Sequence, residues 1–391
     1  MPMAATKRAY TLGIWALALG YFLSYVPYSG LTKAATSGLL TRGLLIPASE
    51  LLPSAAVSTA IAIFLFISIM GWWQHGRKHR VFGLNVLFPR RQTFVSGIGF
   101  AAIIVTTTLA YGFRGVSIIL ALVLMRAGTL TMSPIIDQIF HRRVRWFSWA
   151  GLILSLFAVA ISLNDTRGYQ LSTAVLINLA VYLAGHALRI PSMTKIAKTG
   201  ERRVAYEYFV EEQAVAMPVL ILVLALLAAI GRGDLMNHLR FGFAHLFSGS
   251  SALFGWAIGL FYAALGIFLS FIYLDRRENT FCMPLFACSS LLSGIVASYL
   301  LGWWVHGPAP SRVQICSAFV LIAALLVMSP LHHLPLYIRQ LTNAVVGRQL
   351  VLVEFVRNGS KEISEVAQPM AVRFITIDVQ GIRQFFRKQP S

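Results

Sequence analysis

Apolar runs of bilayer-spanning length alternate along this chain with short polar links. Runs at 10–30, 53–73, 93–112, 116–136, 146–163, 171–191, 213–231, 253–274, 280–301 and 313–330 approach or exceed the ~20 apolar residues that a helix needs to cross the hydrocarbon core. Backbone polar groups in lipid must be satisfied within the segment, so each run is expected to be helical. Links such as Phe113 to Gly115 and Asn164 to Gln170 are short, which makes neighbouring helices antiparallel. The longer link 232–252 contains LMNHLRFGFAHLF, a pattern suited to an amphipathic helix lying on the outer membrane surface. After Pro330 the pattern changes to short alternating stretches, QLVLVEFVR and VRFITIDV, around Asn358-Gly359-Ser360. These read as strands of a small appendage over 331–391.

An internal repeat divides the membrane part into 1–165 and 166–330. Thr32-Lys33, Gly38 and Glu50 recur at one constant offset as Thr194-Lys195, Gly200 and Glu212, within YVPYSGLTKAATSG and RIPSMTKIAKTG. Five helices per half is an odd number, so the second copy must be inverted relative to the first. The predicted fold class is an all-α polytopic membrane protein of ten transmembrane helices in two inverted five-helix repeats, with a small cytoplasmic C-terminal tail.

Composition agrees with this pattern. Hydrophobic residues make up 57% and charged residues 12% of 391, and the mean hydropathy is +0.71, outside the range of soluble domains. The formal net charge of +19 arises from basic bursts between apolar runs, which is the signature of topology and not of a nucleic-acid surface. About 24 of the 33 Lys and Arg fall on alternate links and the tail, placing these and both termini in the cytoplasm of an inner-membrane protein. Lys7-Arg8 precede an apolar run without a small-residue cleavage pattern, so the N-terminus is expected to begin the first span. Cys282, Cys288 and Cys316 support neither a disulfide framework nor a metal motif. His75 and His79, on a basic link, suit lipid headgroups better than a metal. No catalytic set, nucleotide loop or cofactor motif is present. The chain reads as a non-enzyme with no cofactor.

Arg126 is the sharpest candidate for chemistry. A guanidinium in the middle of a spanning run costs several kcal/mol unless it meets a polar cavity or a partner, and it suits a carboxylate or phosphate. His186 and Arg189 sit one turn apart, and with Tyr182 and Ser290 they extend a substrate-binding lining. Lys33 and Lys195 end related helices, as gate groups or as snorkelling lysines. Glu50 and Glu212 open the second helix of each half, where carboxylates suit a cap or a coupling role. Asp137, beside Arg142-Arg143, reads as a local ion pair. Tyr25, Tyr28, Tyr111, Tyr182 and Tyr262 suit either a cavity lining or interfacial belts. Ser289, Ser290, Ser293 and Gly294 form a small-residue face for close helix packing, and dimerisation through such faces stays open.

The best local match to a known family runs from Met125 to Leu163, where Asp137, Arg142-Arg143 and Trp149-Ala150-Gly151 follow an apolar helix with a polar centre. With the ten spans and the Pro- and Lys-bearing ends of the first and sixth helices, this resembles the drug/metabolite transporter superfamily, which includes EamA-like exporters and nucleotide-sugar transporters. The resemblance implies alternating access around a central cavity. The functional expectation is an exporter of a small anionic or zwitterionic metabolite, with that metabolite and membrane lipids as partners and no nucleic acid. Alternatives on the same sequence are a lipid or lipid-linked-sugar translocase and a membrane-embedded enzyme acting on lipid.

Overall fold

All ten apolar runs fall on α-helices. The structure, a computed structural model, describes residues 2–40, 45–81, 84–113, 118–164, 172–198, 201–305 and 311–328. Its helices are α1 (Pro2–Thr36), α2 (Ala48–Met70), α3 (Arg91–Gly112), α4 (Ile118–Ile139), α5 (Trp146–Asn164), α6 (Thr173–Ile196), α7 (Arg202–Ile230), α8 (Gly233–Ala244), α9 (Gly249–Leu274), α10 (Asn279–Val305) and α11 (Arg312–Met328). Seven of them, namely α2, α3, α4, α6, α7, α9 and α10, are long and apolar enough to cross a membrane, and α5 and α11 contain shorter apolar stretches. The protein is a nearly all-helical, multi-pass membrane protein. The appendage read from 331–391 lies outside the described residues.

Packing follows a regular scheme. Helix α2 lies along α9, and α3 lies along α7. Helix α1 packs on α9 and α10, while α6 packs on α3 and α4. Pairs α5 with α11, α4 with α10, and α2 with α7 complete the bundle. The α3–α6 contact is close enough to need two glycines: a Cβ on Gly99 would stand 2.6 Å from the Gly185 carbonyl oxygen, and one on Gly185 would stand 2.7 Å from that of Gly99. Small residues allow such backbone approach where lipid supplies no hydrophobic drive. The Ser289–Gly294 face is used in the same way, since Ser293 donates to the Phe22 carbonyl at 3.2 Å and a Cβ on Gly294 would meet Leu122 at 2.5 Å.

Two elements depart from the sequence reading. The link between α2 and α3 carries a two-stranded antiparallel hairpin, β1 (Lys78–Val81) and β2 (Leu84–Leu87), so the fold is not purely helical. Neither KHRV nor LNVL alternates cleanly between polar and apolar residues, so the pattern carried little sign of it. Helix α7 starts at Arg202 and not near 213, because Glu211 and Glu212 find polar partners inside the bundle and no longer oppose burial. The amphipathic helix expected in 232–252 is α8, with Leu239 and Gly242 buried; Gly231 turns the chain into it at φ 59°, and Arg240 donates to the Ala228 and Ala229 carbonyls at 3.0 and 2.9 Å.

At the hairpin end, three carboxylates each bind the start of another helix: Glu211 and Asp137 take backbone N–H groups there, where the helix dipole favours negative charge, and Glu278 takes side chains only. Glu211 accepts from the Arg90 backbone N–H at 3.1 Å and from Thr93 Oγ1 at 2.7 Å at the start of α3. Asp137 accepts from the backbone and side chains of Asn279 and Thr280 at 2.7–3.0 Å at the start of α10. Asp137 is therefore an interhelical cap; the local ion pair expected of it is secondary, with Arg142 Nε at 3.8 Å. Glu278 accepts from Arg145 Nε at 2.8 Å and Ser148 Oγ at 2.6 Å at the start of α5.

Burial alone would raise the Glu278 carboxyl, but the hydrogen bonds from Arg145 and Ser148 outweigh it and hold it below its ordinary value of 4.5. A carboxylate depressed in the folded state stabilises above its unfolded value and loses that effect as pH falls. Glu278→Gln is thus expected to lower the melting temperature at pH 7, with the gap to wild type closing as pH falls below 4.5. A gap independent of pH would show that the charge on Glu278 contributes nothing.

Candidate functional site

Side chains repeating at i, i+4 and i+7 share one face of a helix. On α1 this spacing aligns Tyr21, Tyr25 and Tyr28, all buried. On α6 it aligns Tyr182, His186 and Arg189, also buried. The two faces meet at the centre of the bundle with Tyr111 of α3, Tyr262 and Tyr273 of α9, and Phe286 and Ser290 of α10.

Arg126 of α4 enters this centre with 1% of its surface exposed. Its Nε donates to Ser290 Oγ at 2.7 Å, one Nη donates to the Tyr182 hydroxyl, and the other reaches the Tyr25 hydroxyl at 3.4 Å. Its guanidinium lies 3.9 Å from the Phe286 ring centroid. Every one of these partners is neutral. Arg126 makes no ion pair among the described residues.

Arg189, one layer away, is in the opposite situation. Its Nε and Nη2 donate to both oxygens of Glu212 at 2.9 and 2.8 Å, Nη2 also donates to Ser270 at 2.7 Å, and its guanidinium stacks 3.9 Å from the Phe100 centroid. Ser96 donates to the same carboxylate at 2.6 Å and receives the Tyr208 hydroxyl at 2.6 Å. Bidentate Arg–carboxylate pairs of this kind are the strong ones. Between these layers stands His186, its ring 4.6 Å from Tyr182 and 6.1 Å from Tyr273. Both His186 ring nitrogens, the Tyr273 hydroxyl and Arg189 Nη1 are buried without a hydrogen-bond partner among the described residues.

The structure thus brings together Arg126, Tyr182, His186, Arg189 and Ser290. It also places Tyr25, Tyr28, Tyr111 and Tyr262 in the interior, not in interfacial belts. Glu212 belongs to this centre rather than to a helix start: it is well inside α7 and is the counter-ion of Arg189. Glu50, by contrast, does lie in the first turn of α2. Lys33 donates to the Tyr111 carbonyl at 3.4 Å, at the C-terminal end of α3. Lys195 is exposed. The comparable contact is made instead by Lys198, which donates to the Arg277 carbonyl at 2.8 Å beyond the end of α9. Tyr21, Tyr273, Phe286, Phe100 and Ser96 were not singled out by the sequence; the repeat of Tyr21 and Tyr25 ahead of Tyr28 at helical spacing was the available signal.

No family model matches the chain, and no curated protein matches it in sequence. A solved crystal structure of a protein aligns over 81% of this chain and 99% of its own, at 14% identity and a TM-score of 0.47.

Proposed function

We propose that the chain is a secondary transporter that moves a small organic anion across the membrane by alternating access, holding it at Arg126. The observation that carries this reading is charge balance. Arg189 and Glu212 cancel, so the buried centre keeps one net positive charge on Arg126. A buried unpaired ion costs several kcal/mol. An anion seated there offsets that cost, and the unpartnered His186, Tyr273 and Arg189 donors stand close by to share it.

The ten helices act in this reading as spans of two inverted five-helix repeats. Support comes from contacts that recur when the halves are exchanged. Tyr28 meets Thr108 at 3.1 Å and the rings of Tyr111 and Tyr262. On α6 Arg189, one position before Ile190, which the repeat offset aligns with Tyr28, meets Ser270 at 2.7 Å and the rings of Tyr273 and Phe100. Thr108, Tyr111 and Phe100 of α3 precede Ser270, Tyr273 and Tyr262 of α9 at one constant offset. The helix pairings exchange likewise, α2 on α9 for α7 on α3 and α1 on α10 for α6 on α4. Repeats related in this way permit two packings that open to opposite sides, and the basic links orient the hairpin end to the cytoplasm.

The test is exchange in reconstituted vesicles against a panel of carboxylates, phosphate esters and neutral analogues. Counterflow of one anion class, with neutral analogues inert, is the expected result. Chemical conversion of a substrate by detergent-solubilised protein, without vectorial movement, would place the chain among membrane enzymes instead.

A further inference from the structure

The hairpin does more than link α2 to α3. Its base is clamped to the start of α7: Trp72 stacks on Tyr206 at 4.4 Å, Arg90 pairs with Glu207, and Glu211 accepts from the Arg90 backbone. Between this clamped hairpin and the first turn of α3 lies an open groove of about 540 Å³, lined by Arg77, His79, Phe88 and Pro89 to Gln92. Arg77 and Arg91 are exposed, and neither makes an ion pair among the described residues. His79 stands beside Phe88 at 5.8 Å. Of the carboxylates on the adjoining start of α7, Glu207 neutralises Arg90 of the groove wall, and Glu211 accepts from Arg90 N–H and Thr93. Arg77 and Arg91 are thus left as the groove's cationic groups without an acidic partner among the described residues.

Its charge and its apolar rim indicate what it takes. The groove lies beside the facing ends of α2 and α3, both long and apolar enough to cross a membrane, a position that suits the headgroup layer. Phe88 is 59% exposed, and Phe94, one turn into α3, is 46% exposed. Paired arginines suit a phosphate, and exposed phenylalanines beside them suit the acyl-chain boundary but not water. We propose that this groove holds the phosphate of an anionic phospholipid headgroup, with Arg77 and Arg91 on the phosphate and Phe88 against the glycerol and upper chain. The site is separate from the buried centre around Arg126, and it stands whether or not that centre binds a solute.

The test uses the full chain exchanged into nanodiscs of equal parts phosphatidylglycerol and phosphatidylcholine, followed by mass spectrometry of the lipid retained on detergent extraction. Wild type is expected to retain phosphatidylglycerol preferentially, and each of Arg77→Gln and Arg91→Gln to cut that preference about fivefold. Phe88→Ser is expected to weaken retention as well, with the melting temperature of all three variants unchanged because none touches the Trp72–Tyr206 or Arg90–Glu207 clamp. Equal retention of the two lipids by wild type, or a preference untouched in Arg77→Gln/Arg91→Gln, overturns the proposal. Binding of soluble glycerol phosphate that depends on the two arginines but is indifferent to Phe88→Ser also overturns it, assigning the groove to a free phosphate.

Discussion

Glu212→Ala is expected to destabilise the folded protein by about 3–5 kcal/mol, the usual cost of removing one partner of a buried ion pair. The alanine strands the Arg189 guanidinium, which is fully buried against Phe100 and would keep only Ser270 as a hydrogen-bond partner. It also strips Ser96, which accepts from Tyr208, of its own acceptor. The double variant Arg189→Met/Glu212→Leu removes both charges and fills similar volume, so most of the loss should be recovered. Unfolding of each variant in one detergent gives the comparison. A double variant as unstable as Glu212→Ala would mean that Arg189 is not held there by its carboxylate.

Arg126→Gln is expected to behave in the reverse manner. It abolishes anion binding and transport, while unfolding stability stays within about 1 kcal/mol of wild type or rises, because the substitution removes an uncompensated buried charge. Arg126→Lys should not restore transport: an ammonium cannot keep the bond to Ser290, reach Tyr182 and Tyr25, and present a planar fork to an anion. Vesicle uptake and unfolding measured on the same preparations separate the two roles. Full transport in Arg126→Gln removes it from the site, and a large drop in stability makes it a structural arginine satisfied by its neutral neighbours.

The contrast between these two arginines was only half legible in the sequence. Both were found because a guanidinium in an apolar run needs a reason. That Arg189 is neutralised and Arg126 is not depends on which helices meet, and Glu212 lies on α7, between a helix start misjudged by eleven residues and the span it belongs to. The apolar runs located every long helix, since length and hydropathy act locally. They could not reveal the hairpin, whose four-residue strands carry little signal, or the caps at Asp137, Glu211 and Glu278, which join residues distant along the chain. The tyrosines were ambiguous for a related reason: one amphipathic ring suits a membrane interface and a polar core equally well. Only the convergence of α1, α3, α6 and α9 places them in the interior. The repeat was read from Thr32-Lys33 and Thr194-Lys195; in the proposed arrangement the side-chain contacts set Tyr28 against Arg189, two positions of different chemistry.

The carboxylate caps also impose an order on synthesis. Helix α3 starts at Arg91 and α5 at Trp146, but Glu211 and Glu278, which bind the starts of these helices, emerge from the ribosome well after both helices have been made. The contacts at the starts of α3 and α5 can therefore form only after the second half of the chain has been made. Of these three helix starts, that of α10 alone meets a carboxylate, Asp137, made before it.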